Sequence, residues 1–559
     1  MTFLPRAGWP TTDTAGGKPR IEPFLLVALA LVFAMQLYLV LTKSVNWDEF
    51  FYFNHIQELR DGTLARPLQA IHTRYLGWLF ELPLSSIDQL LVGRLFMLAC
   101  EAVTALAIFG IARRFAAAPA TAALCALTYL TAGYVFLHGF AFRTDPQATA
   151  VLMSALWLLG SRRLGWARVA AIAFLLALAG MITIKAVFYA PAFIGIGWLH
   201  YSRSRDHSQF VLRCAAILVL AGLFFAALFF LHGSTLAAAP VARGGKALNS
   251  AWETVFSAGL LPQAGHLARQ MLLAPHLLAM LAASPFLWRR RFPSGAEKVA
   301  MAGLLLPLAT IIFYRNSYPY FFVFILAPAV LATIPVIELL AGRLGAKICA
   351  SVLTLLAALL TIAEPRDVLP AQKAVVSAVR ETFPRPVVYL DFCGFVGDFP
   401  RALPFLTSGW GLNNYRIAGE PLVAQAMARQ PIPLLIVNHD VLDAAVNGRS
   451  QAEMLLPRDA AALRGHYVPH WGPMWVAGKR IPAGNAVQRM QVAVPGVYTL
   501  EGAAIVLDGR KLEVGDTIFL ARGPHSALPH GTEAAILRWG DHLPVPRGAA
   551  PSGPLYTKY

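Results

Sequence analysis

The sequence predicts a polytopic α-helical membrane protein with a C-terminal extracytoplasmic region of α/β plus β-sandwich type. Three observations predict it. Of 559 residues, 57% are hydrophobic and only 14% charged, giving a mean hydropathy of +0.56, far from a soluble composition. Apolar runs long enough to span a bilayer recur as far as about residue 363. After Glu364-Pro365 the texture turns mixed, and about 195 residues follow without such a run, enough for one or two domains.

The first run, Ile21 to Leu41, follows Arg6, Lys18 and Arg20 and has no small-residue cleavage pattern behind it. It reads as an uncleaved anchor with a cytoplasmic N-terminus. Further runs at 90–112, 117–139, 146–160, 167–183, 186–200, 210–232, 270–288, 296–314, 319–340 and 345–363 bring the expectation to about eleven helices. The stretch from Ala167 to His200 is read as a tight hairpin, with Lys185 near its tip and Gly180 and Pro191 flanking it. With that hairpin, Arg113-Arg114, Arg162-Arg163, Arg203 with Arg205, Arg289 to Arg291, and Arg343 with Lys347 all fall on the N-terminal side. Basic loops alternating in this way obey the positive-inside rule, which also accounts for 47 Lys and Arg against 30 Asp and Glu without invoking nucleic acid. The five cysteines form no CxxC pair, and four lie in or beside apolar runs, so no disulfide framework is expected.

Beyond the membrane region, 1–364, the expected units are an α/β domain over 365–485, a β-sandwich-like module over 486–545 and an irregular tail, 546–559. PVVYLDF and PLLIVNHD are short buried-strand patterns separated by helical segments such as Glu420 to Ala428. From Gln488 onward, closely spaced β-type runs are punctuated by Gly, Pro and Asp-Gly. Such a module either binds glycan or only stabilises, since fold alone carries no function.

The outer side is where the chemistry is expected. NWDEFFYF, Asn46 to Phe53, places Asp48 and Glu49 at the start of a helix whose Tyr52, Phe53, Ile56 and Leu59 share one face. That pattern predicts a helix lying along the bilayer surface with its acids at headgroup level. Acids there also suit a helix N-terminus without any further role. The same side collects Phe142-Arg143-Thr144-Asp145, Lys185, and Tyr314-Arg315 through Tyr318 to Tyr320. Outward cations run against the charge bias of the other loops, which favours a functional site, although Lys185 alone could snorkel and Arg143 could simply pair with Asp145.

In order and side, this set resembles the GT-C superfamily of polyprenyl-phosphate-sugar-dependent glycosyltransferases. The likeness is to lipid A aminoarabinose transferases, protein O-mannosyltransferases and rhizobial galacturonosyltransferases. It covers roughly the first 340 residues, on Asp48, Glu49 and Tyr52, then Asp145, Lys185 and the aromatic Tyr318 to Pro328 segment. Phe51 replaces a basic residue of the family's first-loop motif, and His72-Thr73-Arg74 stands where a proline pair is expected.

The resemblance implies an inverting transfer from a polyprenyl-phosphate sugar to a hydroxyl of a cell-envelope lipid, glycan or protein, at the outer face of a bacterial inner membrane. Asp48 would be the general base, with Glu49 and Asp145 as orienting acids. Lys185, Arg143, Arg315 and Arg74 would meet the donor phosphate, and Tyr52, His72, Tyr318 and Tyr320 would line the substrate pocket. Glu49 or Asp145 could instead help hold a divalent cation, magnesium or manganese. Two other readings are a flippase for a lipid-linked saccharide and a non-enzymatic glycan-binding scaffold.

Overall fold

The computed structural model describes residues 21–161, 163–237, 259–403, 409–449, 455–529 and 532–557; Arg6, Lys18, Arg20 and Arg162 lie outside them. In chain order the first ten helices are α1 (Pro23–Thr42), α2 (Trp47–Arg60), α3 (His72–Leu76), α4 (Ser86–Arg114), α5 (Pro119–Leu130), α6 (Tyr134–His138), α7 (Thr144–Leu159), α8 (Trp166–Ile182), α9 (Ala190–Arg203) and α10 (His207–Gly233). Among the described residues, six helices are long and apolar enough to cross a membrane: α1, α4, α10, Gly295–Ile312, Pro319–Leu344 and Ala346–Ala363. A seventh is formed if Ala264–Leu273 and Pro275–Arg291, bent by 95°, are one span. The chain is a multi-pass membrane protein.

The other expected runs are helical but broken. Gly133, at φ +50°, separates α5 from α6 in a backbone region that side chains with a Cβ avoid. Thr183 leaves helical geometry between α8 and a 3-10 turn, Ile184–Tyr189, which carries Lys185, and Pro191 sits in the first turn of α9. The hairpin expected around Lys185 is therefore a helix–turn–helix whose turn is held by Thr183 Oγ1 accepting from Lys185 N at 3.3 Å. Large apolar side chains on α10, including Leu218, Phe230 and Leu231, are about 70% exposed, as a lipid-facing surface requires.

Two basic ends expected to share a side are joined: Arg291 donates to Glu338 Oε2 at 2.6 Å and to Phe115 O at 3.0 Å.

The C-terminal region contains two sheets. Strands β1 (Tyr389–Leu390), β2 (Leu434–Ile436), β3 (Tyr467–Trp471) and β4 (Met474–Ile481) join three later ones, β6 (Gly496–Glu501), β9 (Thr517–Leu520) and β11 (Ala535–Trp539), in one seven-stranded sheet. β1 and β2 are parallel, and β4 pairs antiparallel with β2 and β11, so the sheet continues across residue 486. A four-stranded sheet of order β5-β10-β7-β8, built from Gln488–Val492, Gly523–Pro529, Ile505–Leu507 and Arg510–Leu512, packs on it. Tyr498, Leu500 and Leu537 of one sheet meet Val492, Leu507 and Ala527 of the other.

One expectation is corrected here. α2 does not lie on a lipid surface with one apolar face, because Phe50, Tyr52, Phe53, Asn54, His55 and Ile56 are all buried. The C-terminal α/β unit covers the first turns of the helix, Asn54 included, while Gln57 and Glu58 stay part-exposed and Asp61 exposed. Asn54 Nδ2 donates to Cys393 O at 2.9 Å and Gly394 O at 3.1 Å, and the Phe50 and Phe395 rings lie 5.1 Å apart. The hydrophobic core around α2 is shared with residues such as Leu90 on α4 and Val396 after β1.

Candidate active site

The site begins at the α2 N-terminus. Asn46 caps the helix, its Oδ1 accepting from Asp48 N at 3.0 Å, while Glu49 Oε1 accepts from Asn46 N at 3.1 Å. This reciprocal box satisfies donors that a helix start leaves orphaned. It also turns Glu49 inward. Arg94, on α4, grips that carboxylate with Nε to Oε2 at 2.8 Å and Nη2 to Oε1 at 2.6 Å, and Phe142 N donates to Oε2 at 2.8 Å. Burial alone would raise the Glu49 carboxyl; the charge and hydrogen bonds of Arg94, with the N–H groups of Phe142 and Asn46, outweigh it and hold the carboxyl below its usual range. Its acceptor capacity is spent on the protein. Glu49 therefore fixes the 46–49 turn against the 142–145 turn, lining the cavity with its carboxylate already paired.

Asp48 points the other way. Arg143, at the N-cap of α7, reaches it with Nη1 at 2.5 Å and reaches Asp145 with Nε at 3.4 Å. Asp145 is in turn bonded to Lys185 Nζ from the 3-10 turn. Three loops far apart in sequence thus deliver one alternating row: Asp48, Arg143, Asp145, Lys185. The Arg143 guanidinium sits 3.3 Å from the Tyr320 ring centroid and 5.2 Å from that of Tyr52, and Lys185 Nζ is 5.6 Å from Tyr320. Aromatic faces on either side keep these cations aligned and exclude water. Side-chain exposure is 19% for Asp48 but 6%, 0% and 8% for Arg143, Asp145 and Lys185. Asp48 is the most exposed member of the row.

Of the row, Arg143 lines a cavity of ≈ 90 Å³, whose wall also includes Ser44, Asn46, Glu49, Arg94, His138, Arg269, Tyr320 and Thr557. Lys43 and Glu364, also in the wall, are paired with each other. Arg269, on the first half of the bent pair, was not singled out by the sequence. Its neighbour Gln270 locks the break between α5 and α6, Oε1 accepting from Tyr134 N at 2.8 Å and Nε2 donating to Ala132 O at 3.2 Å.

Not every expected residue joins the row. Arg74 is exposed and directed to the end of α10, donating to His232 Nδ1 at 2.8 Å and His232 O at 3.1 Å. The Arg315 side chain makes no hydrogen bond or ion pair among the described residues, and its carbonyl accepts from Gln263 at 3.2 Å. His72 is buried beneath Tyr52, its Nε2 2.8 Å from Tyr52 O, and burial pushes its imidazole down to about 4. It therefore supports α2 as a neutral ring. The Tyr318 ring lies 5.6 Å from His266 and 5.9 Å from Tyr320, at the edge of the site. Among the described residues no group of three or more His, Cys, Asp or Glu is arranged to hold a metal. A cation bridging Glu49 and Asp145 does not fit this set, because Glu49 is spent on Arg94 and Asp145 on Lys185 and Arg143.

Two residues missed from sequence stand out. Arg94 had a signal, an arginine inside an otherwise apolar run, which calls for a buried partner. Arg269 had none beyond its charge.

No protein-family model matches the chain, and no curated protein matches it.

Proposed function

We propose that this membrane protein is a GT-C-like glycosyltransferase, with about eleven helices crossing the membrane, that moves a sugar from a polyprenyl-phosphate donor to a hydroxyl of a cell-envelope acceptor on the extracytoplasmic side. The observation that carries the reading is the row Asp48–Arg143–Asp145–Lys185, assembled from three loops, of which Arg143 lines a cavity. A lipid-borne donor keeps its tail in the bilayer and presents its phosphate to this row.

The charge balance supports the chemistry. Glu49 with Arg94 and Lys43 with Glu364 are self-neutral pairs. What remains is three cations, Arg143, Lys185 and Arg269, against two carboxylates, Asp48 and Asp145. The surplus of one positive charge matches a phosphodiester donor, which carries one negative charge. During transfer the acceptor oxygen attacks the anomeric carbon from the face opposite the phosphate, and the bond from that carbon to the phosphate oxygen breaks. Asp48 takes the acceptor proton as general base. The leaving phosphate gains the second negative charge that Asp48 loses, and Arg143, Lys185 and Arg269 stabilise it by charge-assisted hydrogen bonds. Inversion at the sugar follows from the single displacement.

The test is transfer by purified protein from a panel of radiolabelled polyprenyl-phosphate sugars to envelope acceptors, comparing wild type with Asp48→Asn. Transfer from one donor that the variant loses, with donor still bound, supports the reading. Equal activity in the variant removes Asp48 as base, and no donor bound across the panel moves the flippase and scaffold readings ahead.

A further inference from the structure

Residues 541–557 contain no helix or strand, yet Leu555 and Tyr556 are only 5% and 6% exposed. They are held at the turn that presents Asp48. Val45, fully buried, has no strand partner for its backbone; the Gln372 side chain takes that place, Oε1 accepting from Val45 N at 2.9 Å and Nε2 donating to Val45 O at 2.7 Å. The same Nε2 donates to Leu555 O at 2.8 Å. One amide thus ties the two segments together, and buried backbone groups leave it little freedom to let go.

Tyr556 then packs against the residues that flank Asp48 in sequence. Its ring lies edge-on to Trp47 at 5.9 Å and to Phe50 at 6.4 Å, so residues on both sides of the acid rest on it. Its hydroxyl bonds to Cys393 Sγ and accepts from Asn438 Nδ2 at 3.2 Å, at the ends of β1 and β2. Thr557 Oγ1 and Ser44 Oγ are 2.9 Å apart, and both residues line the cavity. When two hydroxyls bond to each other, one O–H is used and the other remains free, together with lone pairs on both oxygens. Such a pair suits a group that both donates and accepts, as a sugar hydroxyl does, and suits a phosphate less well than the arginines in the same wall.

The geometry points to residues 555–557 as a built-in part of the site: Tyr556 is a positioning residue for the Ser44–Asp48 turn, and the Ser44–Thr557 hydroxyl pair is a sugar-facing subsite. The subsite and the effect of Tyr556 on turnover rest on the transferase reading; the packing of 555–557 on the Ser44–Asp48 turn does not.

The experiment uses the full chain in membranes. Ser44→Cys/Thr557→Cys, oxidised mildly and read by mass spectrometry of the linked peptides, is expected to form a disulfide, because the replaced oxygens are already in contact. No disulfide overturns the arrangement whether or not the protein is a transferase. With the donor that supports transfer, Thr557→Val is expected to raise KM about three- to ten-fold with kcat held, and Thr557→Ser to restore it. Tyr556→Ala is expected to lower kcat by about ten-fold or more with the pH profile unmoved, while Tyr556→Phe, which keeps the ring, stays near wild type. An unchanged KM in Thr557→Val overturns the subsite, and an unchanged kcat in Tyr556→Ala overturns the positioning role. If wild type transfers no sugar, the subsite falls with the transferase reading and the disulfide alone decides the wall.

Discussion

Replacing Arg94 with Met tests the clamp beneath the Ser44–Asp48 turn without presuming any activity. In the native protein Arg94 holds both oxygens of Glu49, which is 2% exposed, and donates to Lys43 O and Ser44 O, each at 2.8 Å. Methionine fills similar volume but strands the carboxylate, and removing one partner of a buried pair costs about 3–5 kcal/mol. The sign with pH follows from the two proteins. The native Glu49 carboxyl is held below its unfolded value, so its contribution is present above about pH 4.3 and is lost as pH falls through the folded value. In Arg94→Met the stranded group is raised by burial, so its penalty is full at neutral pH and relaxes as it protonates. Between pH 7 and pH 5 the second effect shrinks the gap, and the first adds to it only below about pH 4.3. Denaturant unfolding of the detergent-purified proteins at pH 7 and pH 5 measures it, with Glu49→Gln/Arg94→Met expected to recover more than half of the loss. A gap below about 1 kcal/mol, or one that does not narrow at pH 5, refutes the clamp as drawn.

Asp48→Asn is expected to lower transfer by about 10²–10⁴-fold while polyprenyl-phosphate binding persists, measured by single-turnover assay and donor retention. Arg269→Ala is expected to weaken donor binding about ten-fold or more, whereas Arg74→Ala and Arg315→Ala stay within about two-fold of wild type; the contrast is read in one equilibrium binding series. His72, buried and neutral, binds its proton only when unfolded between pH 6.5 and about 4, so stability falls as pH drops through that window. His72→Gln is expected to flatten that loss by about 3 kcal/mol at most, seen as a smaller shift in unfolding midpoint between pH 7 and pH 4.

The row itself was legible because its parts are rare: outward cations and acids at membrane ends announce themselves in an apolar chain. Asp48, Arg143, Asp145 and Lys185 are such residues, and they meet. What sequence could not supply was what lies on top. The alternation of α2 described a surface helix only as long as nothing covered its second face, and the cover comes from Cys393, Phe395 and Tyr556, more than 300 residues later. Spans were blurred for a related reason. Gly133 interrupts the 117–139 run that hydropathy reads as continuous, whereas the break at Thr183 falls where the hairpin was expected.

Gln270 gives the membrane region a mechanical property. Its amide stitches the interruption at Ala132–Tyr134 to the helix that carries Arg269, and a Cβ on Gly133 would stand 2.9 Å from Gln270 Oε1 and from Leu273 Cβ. Two bent helices are thereby geared to one another. Arg269 and the α6 residues Tyr134, Leu137 and His138 all line the cavity, so two parts of its wall are joined through one amide.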